Sequence, residues 1–127
     1  EARVMGDLSM NHIIPVAIHY QSQLANNVVR MFDIFDKKDA ETLTVRNKKV
    51  IHEIAERTQL IENGVEELVQ ARKVANKIQS EREKAIAYHD IVAPKMESIR
   101  YQIDKLELIV SDELWTLPKY RELLFIR

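Results

Sequence analysis

The stretch "IHEIAERTQLIENGVEEL", residues 51–68, decides the fold of this chain. Ile51, Ile54, Thr58, Ile61, Val65 and Leu68 follow one another at steps of three and four residues. At 3.6 residues per turn, that spacing gathers them into one seam along a helix, the pattern of antiparallel or coiled-coil-like packing. The remaining faces are rich in Lys, Arg and Glu and suit water. The helix predicted from this seam extends from about Leu43 to Ile78.

A second seam follows downstream. Ser80 precedes Glu83 by three residues, the capping-box spacing in which a hydroxyl and a carboxylate each satisfy an orphan backbone N–H. A further helix is therefore predicted to start near Ser80. Along it Val92, Met96, Ile99, Ile103, Leu106 and Val110 again step by four and three. It is expected to end near Trp115, before Pro118, with Pro94 imposing a kink or a break.

Upstream, the first helix is predicted from about Ala2 to Phe35, with apolar residues at Val4, Leu8, Ile14, Ile18, Leu24, Val28, Met31 and Phe35 and a kink at Pro15. The middle of "DIFDKKDAETLT", residues 33–44, reads as the first connection. With only two Gly and three Pro in 127 residues, turn punctuation is almost absent. The expected fold class is all-α: an antiparallel long-helix bundle or hairpin of three main helices plus a short C-terminal tail, in one domain spanning residues 1–127.

The first helix differs from the others in charge. From Leu8 to Val29 there is no Asp, Glu, Lys or Arg. A helix uncharged over that length is usually covered on more than one side, so part of its surface is expected to meet other protein, either elsewhere in a longer chain or in a second copy.

Composition excludes several classes. Nineteen basic and twenty acidic residues leave a net charge of −1, which draws the chain toward neither nucleic acid nor an anionic membrane. The absence of Cys removes disulfide and thiolate chemistry and fits a reducing compartment, the cytoplasm by default. The longest apolar run, "IIPVAI" at 13–18, is far below the ~20 residues of a membrane helix. No signal-peptide pattern opens the sequence. It begins at Glu1 with its first Met at Met5, as an excised piece of a larger protein would.

Candidate chemistry is sparse. The four histidines are His12, His19, His52 and His89. None has a Glu three residues before it, as a di-iron bundle requires, or a second His four residues on, as in zinc proteases. His52 in "KKVIHEIAER" has basic neighbours that could steady a phosphoryl group, which leaves a His phosphotransfer bundle as one alternative. The nearest following Gly, Gly64, is twelve residues away, against that reading. Another alternative is a free-standing coiled-coil interaction module. The residue types and spacings present specify no catalytic, cofactor-binding or metal-ligating residue.

The end of the chain, "DELWTLPKYRELLFIR" at 112–127, holds its only Trp and one each of its Pro, Tyr and Phe. Trp115, Leu117, Tyr120, Leu124 and Phe125 are the candidate interface residues, because aromatic anchors carry much of an interface's energy. They either dock on other protein or cap the bundle's own end.

That ending strongly resembles the C-terminal signature of type III glutamine synthetases, in which Asp-Glu-Leu-Trp, Leu-Pro and Tyr-Arg-Glu followed by Leu-Phe-Ile close the chain. "IIPVAIHYQSQLA" at 13–25 and "YHDIVAPKMESIR" at 88–100 resemble two more stretches of the same region, in the same order. The resemblance implies a parent enzyme that joins ammonia to glutamate at the expense of ATP, with magnesium or manganese, in a large oligomer. It also implies that the catalytic carboxylates and phosphate-binding residues lie upstream. On this basis the chain is expected to be a C-terminal helical domain, inactive alone, whose partners are the upstream catalytic domain of the same chain and further copies in a homo-oligomer, with neither nucleic acid nor membrane among them.

Overall fold

A computed structural model describes residues 1–110 of the chain. Among these residues every regular element is helical. The first rod is α1 (Ala2–Leu8), a π-helical turn at Ser9–Ile13 and α2 (Ile14–Ile34), with the backbone remaining in the right-handed helical region through both junctions. α3 (Lys37–Leu43) leads into α4 (Val45–Asn76), whose 32 residues run about 48 Å at 1.5 Å per residue. α5 (Glu81–Ala87), a π-helical turn at Tyr88–Val92 and α6 (Ala93–Ile109) make the last rod.

Both prolines inside helices are accommodated in the same way. Proline lacks an N–H and crowds the carbonyl four residues back. The residue ahead of each reaches five residues back instead: the Ile14 N–H donates to the Ser9 carbonyl, and the Ala93 N–H to the Tyr88 carbonyl. Each π turn thus accommodates its proline without breaking the helix, and the rods continue.

α4 is the centre. It packs against both α2 and α6, and contributes Ile54, Ile61, Val65 and Leu68 to the core they share. The Gln21 amide donates to the Ile51 carbonyl at 3.0 Å, and the Arg57 guanidinium to Gln102 Oε1 at 2.7 Å. Low residue numbers on each flanking rod meet high numbers on α4, so both rods run antiparallel to it. Gly64 lets α6 come close: a Cβ there would lie 2.9 Å from Ile99 Cγ1.

The buried core unites Met5, Ile13, Ile14 and Ala17 from the first rod with Ile54, Ile61, Val65 and Leu68 from α4 and Val92, Ile99, Ile103, Leu106 and Val110 from the last. Both seams read from the sequence are therefore present, with Thr58 buried in the first; Ile51 and Met96 are half-buried. Val4, Ile18 and Phe35, expected in the first helix's apolar series, are exposed instead. The extra residue in the π turn shifts the helix phase, so Met5 and Ser9 face inward before it and Ile13, Ile14 and Ala17 after it. Ser9 is satisfied locally, its hydroxyl donating to the Met5 carbonyl at 2.7 Å.

Two boundaries also differ. The segment read as a connection contains α3, because the Asp36 carboxylate accepts the Asp39 N–H at 2.8 Å and caps a turn of helix. The last helix stops at Ile109, with Val110 extended, six residues short of Trp115. The Ser80 cap is present, its hydroxyl accepting the Glu83 N–H at 3.3 Å. The Tyr88 hydroxyl donates to Asn76 Oδ1 and ties the α4–α5 turn together.

Candidate functional site

Each histidine sits on the outside. His12 and His19 are exposed on the first rod. His52 Nδ1 lies 3.1 Å from the Glu56 carboxylate one turn away, and His89 Nδ1 lies 3.0 Å from its neighbour Asp90; all four side chains are mostly in solvent. Ion pairs so exposed contribute little energy and shape no enclosed chemistry. Among the described residues, no three His, Asp or Glu side chains converge to hold a metal ion.

Several grooves open on the surface of the described residues. At the α4–α5 end, Ala71, Val74, Ala75, Ile78, Ala87 and Ile91 line an apolar groove of about 390 Å³. Lys95 Nζ stands 3.8 Å from the Glu67 carboxylate at its edge. The sequence signal for this groove is weak, because Val74 and Ile91 fall outside the two seams. At the opposite end, Phe32, at the close of α2, lies under Lys48 Nζ with 5.0 Å from the nitrogen to the ring centre, a cation–π contact that fastens α2 to α4.

Among the described residues, α2 presents an uncharged exposed face. Pro15, Ile18, Ser22, Asn26 and Val29 step by three and four residues along one face, and all are exposed. Ile18 keeps 44 % and Val29 60 % of its surface in solvent. The side opposite is the packed one, holding Ile14, Ala17, Gln21, Leu24 and Val28. The bundle thus leaves open the part of the first helix whose lack of charge called for further covering.

Trp115, Leu117, Tyr120, Leu124 and Phe125, the interface candidates of the sequence, lie outside the described residues. Among the described residues, no helix is long and apolar enough to cross a membrane.

No protein-family model matches the sequence. Two curated relatives align with all of it. Over 127 residues the chain is 47% identical to a protein from Bacteroides fragilis (strain YCH46) named glutamine synthetase. Over the same 127 residues it is 27% identical to the type-3 glutamine synthetase of Dictyostelium discoideum. The chain spans 17% of the length of each of these relatives.

Proposed function

We propose that this chain, which is homologous over its whole length to part of the type III glutamine synthetases, serves such an enzyme as a non-catalytic helical domain. The observation that carries the reading is the 47% identity sustained across all 127 residues, on a fold that presents packing surfaces. In this reading the domain belongs to the C-terminal part of a longer polypeptide. An upstream region holds ATP and the divalent metal and joins ammonia to glutamate. The helical domain completes the subunit's fold, braces that region and contributes contacts in a cytoplasmic homo-oligomer.

The division of labour has a physical basis. A ligation that consumes ATP needs clustered carboxylates for metal and basic groups for phosphate, held in a site that excludes water. Long amphipathic helices with charged outer faces meet none of those needs but provide rigid spacing. In the same reading, Trp115, Leu117, Tyr120, Leu124 and Phe125 anchor the domain to its surroundings.

The test uses the full-length polypeptide. It is expected to form glutamine from glutamate, ammonia and ATP with magnesium or manganese. A version lacking these 127 residues is expected to lose assembly or stability, measured by light scattering and thermal unfolding. A full-length protein without ligase activity would overturn the reading, as would a truncated one that assembles and melts unchanged.

A further inference from the structure

We propose that the outward face of α2, formed by Pro15, Ile18, Ser22, Asn26 and Val29 with His19 and Gln23 beside them, is a protein-docking surface. Its occupant is the remainder of the same longer polypeptide. This rests on the functional reading above and deepens it by naming the surface that meets the rest of the subunit.

Two helices of one molecule treat water differently. α4 covers its solvent side with Arg46, Lys48, Lys49, Glu56, Glu66, Glu67 and Lys73, all exposed. α2 faces outward over Pro15–Val29 with no formal charge at all. Charge resumes only at Arg30 and Asp33, where the helix is ending. The chain solvates one helix with charges and withholds them from another of comparable exposure.

The chemistry of the face suits protein. Two apolar side chains, a proline ring and short amide and hydroxyl groups can pack and exchange hydrogen bonds without desolvating an ion, whose burial is costly. Phosphate groups or anionic lipid would instead call for Lys and Arg. From Pro15 to Val29 the stripe is about 21 Å long at 1.5 Å per residue, and its mixed polarity suits an interface between domains of one chain, which is more polar than an obligate subunit interface.

Length and tethering choose the occupant. The relatives that match all of this chain are nearly six times as long, the chain being 17% of their length. Protein tethered to the same backbone is present at an effective concentration on the order of millimolar. A modest, partly polar surface is enough under those conditions.

The experiment places a photo-cross-linking phenylalanine derivative at Ile18 of the full-length polypeptide, and at Glu66 on the charged face of α4 as a reference. Isotopically heavy and light subunits are co-assembled, so mass spectrometry separates links within a subunit from links between subunits. The expected result is a link from position 18 to same-subunit residues outside these 127, at least tenfold above the reference. Heavy–light links from position 18 would overturn the proposal in favour of a second copy, and a yield no higher than the reference would overturn it as a solvent-facing surface. As a second measurement, Ile18→Lys with Val29→Lys in the full-length protein is expected to speed amide exchange along α2 at least tenfold; unchanged exchange would count against docking. Ligase activity is assayed separately. A protein that makes no glutamine yet gives the same-subunit link would sink the functional reading and leave the surface standing.

Discussion

At the scale of single residues, the two glycines behave differently although both lie in helices. A Cβ on Gly6 would meet Val65 Cγ1 at 3.6 Å, an ordinary contact, whereas on Gly64 it would meet buried Ile99 at 2.9 Å. Ala is favoured over Gly in a helix interior by about 1 kcal/mol. Gly6→Ala is therefore expected to stabilise the chain by roughly 0.5–1 kcal/mol. At Gly64 the same gain is opposed by an overpacking cost of about 1–3 kcal/mol, so Gly64→Ala is expected to lower stability. Urea unfolding of both variants checks the opposite signs, and Gly64→Ala placed in an Ile99→Ala background should lose its penalty. Ile61 and Leu68 are essentially fully buried, and either changed to Ala is expected to cost about 2–5 kcal/mol in the same measurement.

At the scale of elements, caps and π turns set where helices begin and how their faces are phased. Ser80→Ala and Asp36→Ala each remove an N-cap acceptor and are expected to cost about 1 kcal/mol, read as a lower unfolding midpoint. Pro15→Ala poses a sharper question, since it restores an N–H that could draw the turn back to α-helical bonding. That bond is worth about 1 kcal/mol net. Reversion would rotate α1 by about 100° against α2 and expose Met5, forfeiting about 1.5–3 kcal/mol of burial. The π turn is expected to persist in Pro15→Ala, with Met5 still giving nuclear Overhauser contacts to α4; their loss would show that proline alone maintains the turn.

Helix phase also separates what periodicity reveals from what it hides. The seams of α4 and α6 are readable in the sequence because an uninterrupted helix keeps its phase, so spacing alone locates the buried side from Ile54 to Leu68 and from Ile99 to Val110. The first rod departs from its apolar series at Val4, which precedes the phase shift of the π turn, and at Phe35, which lies past the end of α2 in extended backbone. Ile18 is exposed as well, and the π turn has no sequence mark beyond the proline. α3 escapes a periodicity reading because seven residues are too few for a period to show; its signal is the Asp36 cap.

At the scale of the whole molecule, α4 carries both flanking rods, so its core positions should couple the entire fold. Leu68→Ala is expected to produce one unfolding transition at a lower midpoint, identical by the methyl resonances of Ile14 in the first rod and of Ile103 in the last. Separate transitions for the two probes would show that the rods unfold independently. The candidate surfaces divide in the same way between sequence and structure. The absence of charge over Leu8–Val29 and the aromatic composition of 112–127 are properties of the sequence alone, as is the resemblance to type III glutamine synthetases.

Composition and periodicity are enough to make this chain helical and to pair its long helices along two apolar seams, and the order of residues in three stretches is enough to relate it to an enzyme family. These are local or linear properties: a seam is a spacing, and a family signature is an order of residues. Tertiary structure alone decided that α4 is the shared centre, that Gly64 is where α6 approaches, and that the open side of the uncharged helix is the stripe from Pro15 to Val29. Those outcomes depend on the rotation of one helix relative to another. A single inserted residue in a π turn changes that rotation by about 100° while leaving the composition of the helix untouched.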